Sequence, residues 1–359
     1  MKNFHAWLVY LVCVVSCFSL PASAEDYPPA NETLVTNIEL SGSITTPNAE
    51  LSALGWCGDY LWLIPQYLNF NRPNDPTSGQ FYRLTRSEVT EYLTTLNKGT
   101  PAKPLAPLPV TVKENQKLEA LSGYQGIEAF ACEGNKAFLA IEINRWGRRE
   151  ATVLATALYE AGVWRIDEVS QRHLSQTKIA NKGNEALVIT EQGLLSLHEV
   201  NSADLQITGK PQALLVEKSL RSIGKVPMVD VPYRITDATA ASDDGKFWVI
   251  NYLWAGDVSI QRDHDAFWQE YGQGASHAKS KHVERLIELQ WTGTEVTTTG
   301  RAPINLLLTE RNGRNWEGIV RFEDVGFLMV TDKHPGTMLG YVPYEGWAED
   351  LAPGSATGH

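Results

Sequence analysis

Glu128-Ala129-Phe130-Ala131-Cys132-Glu133-Gly134-Asn135-Lys136-Ala137-Phe138-Leu139-Ala140-Ile141-Glu142 contains one complete structural unit of this chain. An acid followed by a small residue opens an apolar run, Glu133-Gly134-Asn135 supplies turn chemistry, and a second apolar run ends in another acid. That is a hairpin with a polar marker at each open end. The same layout recurs from Ser52-Ala53 to Gln66, Glu185-Ala186 to Glu199, Asp237-Ala238 to Asn251 and Glu317-Gly318 to Asp332. The interval between markers is 14 residues in the first four copies and 15 in the last.

Recurrence of one supersecondary unit along a chain signals a repeat architecture. Strand-like stretches such as Ala151 to Leu158 and Val163 to Val169 follow the hairpins and bring each unit to four strands. The expected fold is therefore all-β: a β-propeller of five four-stranded blades, with a sixth left open. Two stacked β-sandwiches are the rival, and the fixed interval argues against them. The copies begin 76, 57, 52 and 80 residues apart, which places insertions at Asn69 to Gly79 and Ala255 to His282. Within the second, Asp265 to Tyr271 reads as a short helix. Leu34 to Leu40 precedes the first copy and is expected to supply the outer strand of the last blade, closing the ring.

Working outward to the ends, Ala6 to Leu20 is apolar, and Pro21-Ala22-Ser23-Ala24 follows with small residues. Residues 1–24 read as a secretory signal peptide, 25–350 as one propeller domain and 351–359 as a flexible tail. The expected location is periplasmic or secreted; lipidation at Cys17 is the less favoured alternative. The net charge of −11 argues against a nucleic-acid partner, and no later segment is apolar enough to span a bilayer. Cys57 and Cys132 hold similar places in neighbouring copies, so they are candidates either for a disulfide or for small buried apolar residues.

In a propeller the marker residues converge at one mouth of the channel. Glu128, Glu185, Asp237 and Glu317 come from first positions, and Glu142, Glu199, Asn251 and Asp332 from second positions. Convergent carboxylates need neutralising. Either a divalent cation does so, or neighbouring Arg145, Lys182, Arg234, Arg314, Lys333 and His334 do. The candidate catalytic residues are Glu317, Asp332 and Glu128. Arg145, Arg314, Lys333 and His334 are candidates for substrate binding. Glu128, Glu185, Asn251 and Asp332 are candidate ligands of calcium or another divalent cation. His198 reads as structural, and His277 and His282 as solvated.

The last copy carries a resemblance. Asn315-Trp316-Glu317-Gly318-Ile319, Gly326-Phe327-Leu328-Met329-Val330-Thr331-Asp332-Lys333-His334 and Thr337-Met338-Leu339 resemble the signature of the esterase-like-phytase propeller family. Gly126-Ile127-Glu128-Ala129 with Ala140-Ile141-Glu142 is similar to its other copy. The resemblance implies an exported propeller hydrolysing a phosphoric ester, with a small anionic ester as substrate. Ser52, Gln66 and Asn251 depart from the acidic pattern. The cation set is also similar to that of gluconolactonase and regucalcin-like propellers, which makes a lactonase-type ester hydrolase one alternative. A non-catalytic propeller binding a ligand or protein partner through its insertions is the other. No G-x-S-x-G elbow, H-E-x-x-H or C-x-x-C motif supports a different chemistry.

Overall fold

The computed structural model describes residues 27–71, 79–144, 150–309 and 312–346. The expected signal peptide, Cys17, Arg145 and the expected C-terminal tail lie outside the described residues.

Each hairpin predicted above is the inner half of a four-stranded antiparallel blade. Blade 1 runs Leu51–Cys57, Tyr60–Pro65, Gly79–Thr85, Leu108–Lys113. Blade 2 runs Tyr124–Glu133, Lys136–Ile143, Ala151–Glu160, Val163–Leu174. Blade 3 consists of Asn184–Thr190, Gly193–His198, Gln212–Val216 and Ser222–Pro227. Blade 4 consists of Val231–Ala238, Lys246–Leu253, Val283–Trp291 and Ile304–Leu306. Blade 5 takes Trp316–Phe322, Gly326–Thr331 and Leu339–Pro343 from the end of the chain, and Thr36–Ile38 from its start. The register of that closure pairs Leu339 with Ile38 and Tyr341 with Thr36. The expected closing strand is therefore present, and the fold is a five-bladed β-propeller.

The five inner strands neighbour one another in a closed ring. Apolar side chains fill each junction between blades, because both faces of a blade are covered by its neighbours. Trp62, Phe81, Phe130 and Trp164 join blades 1 and 2, and Leu154, Leu187 and Leu214 join 2 and 3. Val188, Phe247 and Ile287 join 3 and 4, Trp248, Trp316 and Phe327 join 4 and 5, and Leu54, Leu63 and Val320 join 5 and 1.

One helix was not anticipated from sequence. A helix, Arg86–Asn97, crosses between the third and fourth strands of blade 1, opened by a Thr85–Glu88 capping box. The expected helix in the second insertion forms at Ala266–Tyr271, with the Asp265 side chain accepting hydrogen bonds from Phe267 and Trp268 N–H. In that insertion His277 and His282 are buried rather than solvated. His277 Nδ1 lies 2.8 Å from Glu32, so the polar composition serves an internal hydrogen-bonded clasp to the N-terminal segment. Cys57 and Cys132 form a disulfide between blades 1 and 2, with Cα atoms 5.6 Å apart.

Candidate functional site

The marker acids reach the channel because the ladder breaks at each of them. In all five hairpins the pairing register shifts at the first marker: between Leu51 and Ala53, Ile127 and Ala129, Asn184 and Ala186, Ile235 and Ala238, and Trp316 and Gly318. A bulge leaves its extra residue unpaired and re-aims the side chain. Here it turns Ser52, Glu128, Glu185 and Glu317 out of the blade plane. The small residue that follows each marker resumes the ladder.

The centre of the mouth is a guanidinium. Arg234 comes from the inner strand of blade 4, just after Tyr233, whose φ of 64° lies in the left-handed region that a bulky residue seldom occupies. Arg234 Nη2 is 3.2 Å from both Glu185 and Glu317, and its Nε pairs with Glu199. Glu199 is also 3.2 Å from the Lys182 ammonium, which in turn lies 3.2 Å from Asp257 of the second insertion. Asn315 places its amide nitrogen 2.7 Å from Glu317 and 3.3 Å from Asp332, so one donor bridges these two carboxyls. On the opposite wall Gln66 donates to Glu128 at 2.8 Å. That contact needs Gly126, since a Cβ there would stand 2.3 Å from Gln66 Cγ.

The protonation pattern follows from this geometry. Burial works against ionised Glu199, but Arg234 and Lys182 together hold it below its ordinary value. The cations are spent there, and the other acids are held up. Burial first, then the Glu142 and Glu317 carboxyls, push Glu128 well upward. Burial and Glu199 do the same for Glu185. Glu142 rises to about 7 through burial and the Glu199 carboxylate, and Glu317 to about 8 through burial and Asp332, with Arg234 opposing. Asp332 is raised by burial as well, but the Lys333 backbone N–H and Asn315 favour its ionised form. At neutral pH the mouth therefore holds ionised Glu199 beside acids that keep protons.

The sequence-predicted residues divide into two groups. Glu128, Glu185, Glu317 and Asp332 do gather at the mouth, as do Glu142 and Glu199. Asn251 does not join them: its amide donates to the Pro232 and Arg234 carbonyls, and its Oδ1 accepts from Arg285 Nε at 2.8 Å. Asp237 lies deeper, where its carboxylate accepts from the Ile319 N–H at 2.8 Å and braces blade 4 against blade 5. Ser52 likewise stitches blade 1 to the Ile127 carbonyl of blade 2. Arg314, expected to bind substrate, is buried with its guanidinium on Glu284 at 2.8 Å, and so holds an interior ion pair. Lys333 pairs with Glu50 at 2.6 Å on the rim. His334 lines the pocket, and His198 is fully buried on Ser175 and Lys182.

With Asn251 committed to Arg285 and Glu185 to Arg234, the proposed cation set does not assemble. Among the described residues no group of three or more His, Cys, Asp or Glu is arranged to hold a metal ion. Arg234 and Lys182 supply the counter-charge instead.

Beside Arg234 opens a pocket of about 560 Å³ lined by Tyr252, Trp254, Asn312, Asn315 and His334. Sequence reading gave no site role to Tyr67, Tyr252, Trp254 and Asn315, which stand beside the markers rather than at them. The Tyr67 hydroxyl is raised by burial and by the nearby Glu128, Glu50 and Glu142 carboxyls, which places it among the acids.

No family model matches the chain. No curated protein matches it either. Among solved structures it is similar to the GH43 endo-arabinanase from Bacillus licheniformis, at 12% identity and a TM-score of 0.42, covering 85% of this chain and 96% of that one. It is also similar to the soluble aldose sugar dehydrogenase from Escherichia coli, at 11% identity and TM-score 0.42, over 86% and 99% of the two chains. CoXyl43, a GH43 β-xylosidase/α-arabinofuranosidase from a compost microbial metagenome, gives 8% identity and TM-score 0.46, over 86% and 95%. These similarities are too distant to transfer an activity.

Proposed function

We propose that this chain is an exported propeller hydrolase in which a carboxyl pair performs the acid–base chemistry on an uncharged substrate. The observation that carries the reading is Asn315 bridging Glu317 and Asp332, two carboxyls both held above their ordinary values, with the Asp332 charge helping to keep the proton on Glu317. Such a pair supplies an acid and a base from the same residue class. Glu317, protonated up to about pH 8, is the general acid that donates to the leaving oxygen. Asp332 is the general base that takes a proton from the attacking water. Glu128 lies across the mouth and holds a further proton close to both.

The charge balance favours an uncharged ester, lactone or acetal over the small anionic ester first expected. Eight carboxyls (Glu50, Glu128, Glu142, Glu185, Glu199, Asp257, Glu317, Asp332) face three cations (Lys182, Arg234, Lys333), and all three cations are already paired. A phosphate group entering there finds none of these three cations unpaired.

The test is hydrolysis of a panel of chromogenic esters, lactones, glycosides and phosphoesters, with Glu317→Gln and Asp332→Asn alongside the wild type. Turnover of an uncharged substrate is expected, lowered at least 100-fold in each variant, with a basic limb of the pH–rate profile near pH 8 that Glu317→Gln removes. Absence of turnover across the panel, or full activity in Glu317→Gln, overturns the reading.

A non-catalytic propeller is the second reading, favoured by Arg234 pairing with three acids. It predicts ligand binding that survives in Glu317→Gln with no turnover by the wild type.

A further inference from the structure

The rim of the pocket carries an indole that packing does not explain. Trp254 follows the second strand of blade 4 and is 52% exposed, the most exposed tryptophan among the described residues. It is nevertheless held in place. The Asp257 N–H donates to the Trp254 carbonyl at 2.9 Å, and the Ala255 N–H donates to His282 Nδ1 at 3.2 Å. Gln261 Nε2 donates to the Ala255 carbonyl at 2.7 Å. One side of the indole lies against the backbone of Gly256, where a Cβ would come within 2.4 Å of Cη2. The same turn is anchored to the charge network, because Asp257 reaches Lys182, Lys182 reaches Glu199, and Glu199 reaches Arg234.

A large apolar ring kept wet and rigid beside a pocket is costly unless a ligand covers it. What covers it must offer an apolar face to the indole and hydroxyl-type groups at its edge, since Asn312, Asn315, His334 and Tyr252 line the remaining wall. An ionic ligand does not match, because Arg234 is spent on Glu185, Glu199 and Glu317. A flat aromatic ligand satisfies the indole but makes no use of the Asn312 amide and the His334 imidazole.

We infer that Trp254 is the specificity-determining platform of this site, and that it selects an uncharged, hydroxyl-bearing saturated ring: the chemistry of a sugar unit. This rests on the reading of the site as one for uncharged substrates and adds which molecules qualify. The ring's C–H face lies on the indole, its hydroxyls pair with Asn312 and His334, and its linkage oxygen points toward Glu317.

Binding is measured by calorimetry with the full protein and with Glu317→Gln, so that the result does not depend on turnover. The probes are a set of neutral disaccharides (maltose, cellobiose, xylobiose), open-chain sorbitol, and inositol hexakisphosphate. At least one disaccharide is expected to bind, while sorbitol binds at least 10-fold more weakly. Trp254→Ala should weaken the disaccharide at least 10-fold and Trp254→Phe less than 3-fold, with unchanged thermal midpoints. If hydrolysis occurs, the loss in Trp254→Ala falls mainly in KM. Failure of every disaccharide to bind, equal binding by sorbitol, preference for the hexakisphosphate, or indifference to Trp254→Ala each overturns the inference. Trp254-dependent binding without turnover by the wild type leaves it standing and removes only the hydrolase reading.

Discussion

Arg234 holds the mouth of the channel together by tying three acids of blades 3 and 5 to its own blade 4, and its side chain is nearly buried while doing so. Removing one partner of such a group leaves the others as uncompensated buried charge, which costs more than the pair contributes. Arg234→Met is expected to destabilise the fold by roughly 3–5 kcal/mol at neutral pH, read as a fall in the urea midpoint. The loss should shrink at pH 5, where the stranded acids take up protons. A variant as stable as the wild type at pH 8 would mean that the guanidinium does not balance these carboxyls. At this scale the sequence was only half legible. The acids were visible as markers, and Arg234 and Lys182 as neighbouring counter-charges, but Asn251 and Arg314 were not separable from true mouth residues. Their commitments, to Arg285 and Glu284, cross between strands remote in sequence. Trp254 escaped notice because it stands on a loop, outside the repeating positions, and Asn315 was seen only as part of a family-like signature.

At the scale of the element, the hairpin was readable because its two periods coincide: apolar alternation within each strand, and a constant interval between the marked ends. The bulge that makes the markers useful was not readable, since an acid followed by Ala or Gly carries no separate signature for a missed ladder position. It is present in all five hairpins, even where the marker is Ser52 and serves only to stitch blades. The architecture therefore uses the bulge throughout, and chemistry occupies it in some blades only. The Cys57–Cys132 disulfide belongs to this scale too, tying the far ends of two inner strands across 75 residues of sequence. Closing a loop of that length restricts the unfolded chain by about 4 kcal/mol in chain-entropy terms. The Cys57→Ser/Cys132→Ser double variant should lose several degrees in thermal midpoint yet bind and turn over ligand as the wild type does, because the bond lies at the opposite channel mouth. Loss of ligand binding in a still-folded variant would show that the two mouths are coupled.

For the whole molecule, the excess of protonated acids sets a direction for stability against pH. Glu317 at about 8 and Glu142 at about 7 both stand above their unfolded values, with Glu128 and Glu185 raised further in the same sense. Between the unfolded carboxyl pKa near 4.5 and these raised values the folded state binds more protons than the unfolded, so stability falls as pH rises through that window. Glu199 works the other way, its contribution being present above the unfolded value and lost in acid. The net expectation is a maximum near pH 5 and a fall of a few kcal/mol by pH 8.5, checked by urea unfolding across that range. A flat profile, or a maximum above pH 7, would contradict the protonation pattern described for the mouth.

The strand Thr36–Ile38 completes blade 5 beside Leu339–Pro343, and this has a consequence for how the molecule is made. A ribosome delivers the first of these strands before the four complete blades and the second only after them. Blades 1 to 4 can pair their own strands locally as they appear, but the ring stays open until Leu339–Pro343 has emerged. Until then blade 5 has no outer strand, and Thr36–Ile38 waits without its ladder. The final latch is a long-range event that follows the emergence of that strand, and the interval before it is when the nascent chain most needs protection from pairing with its neighbours.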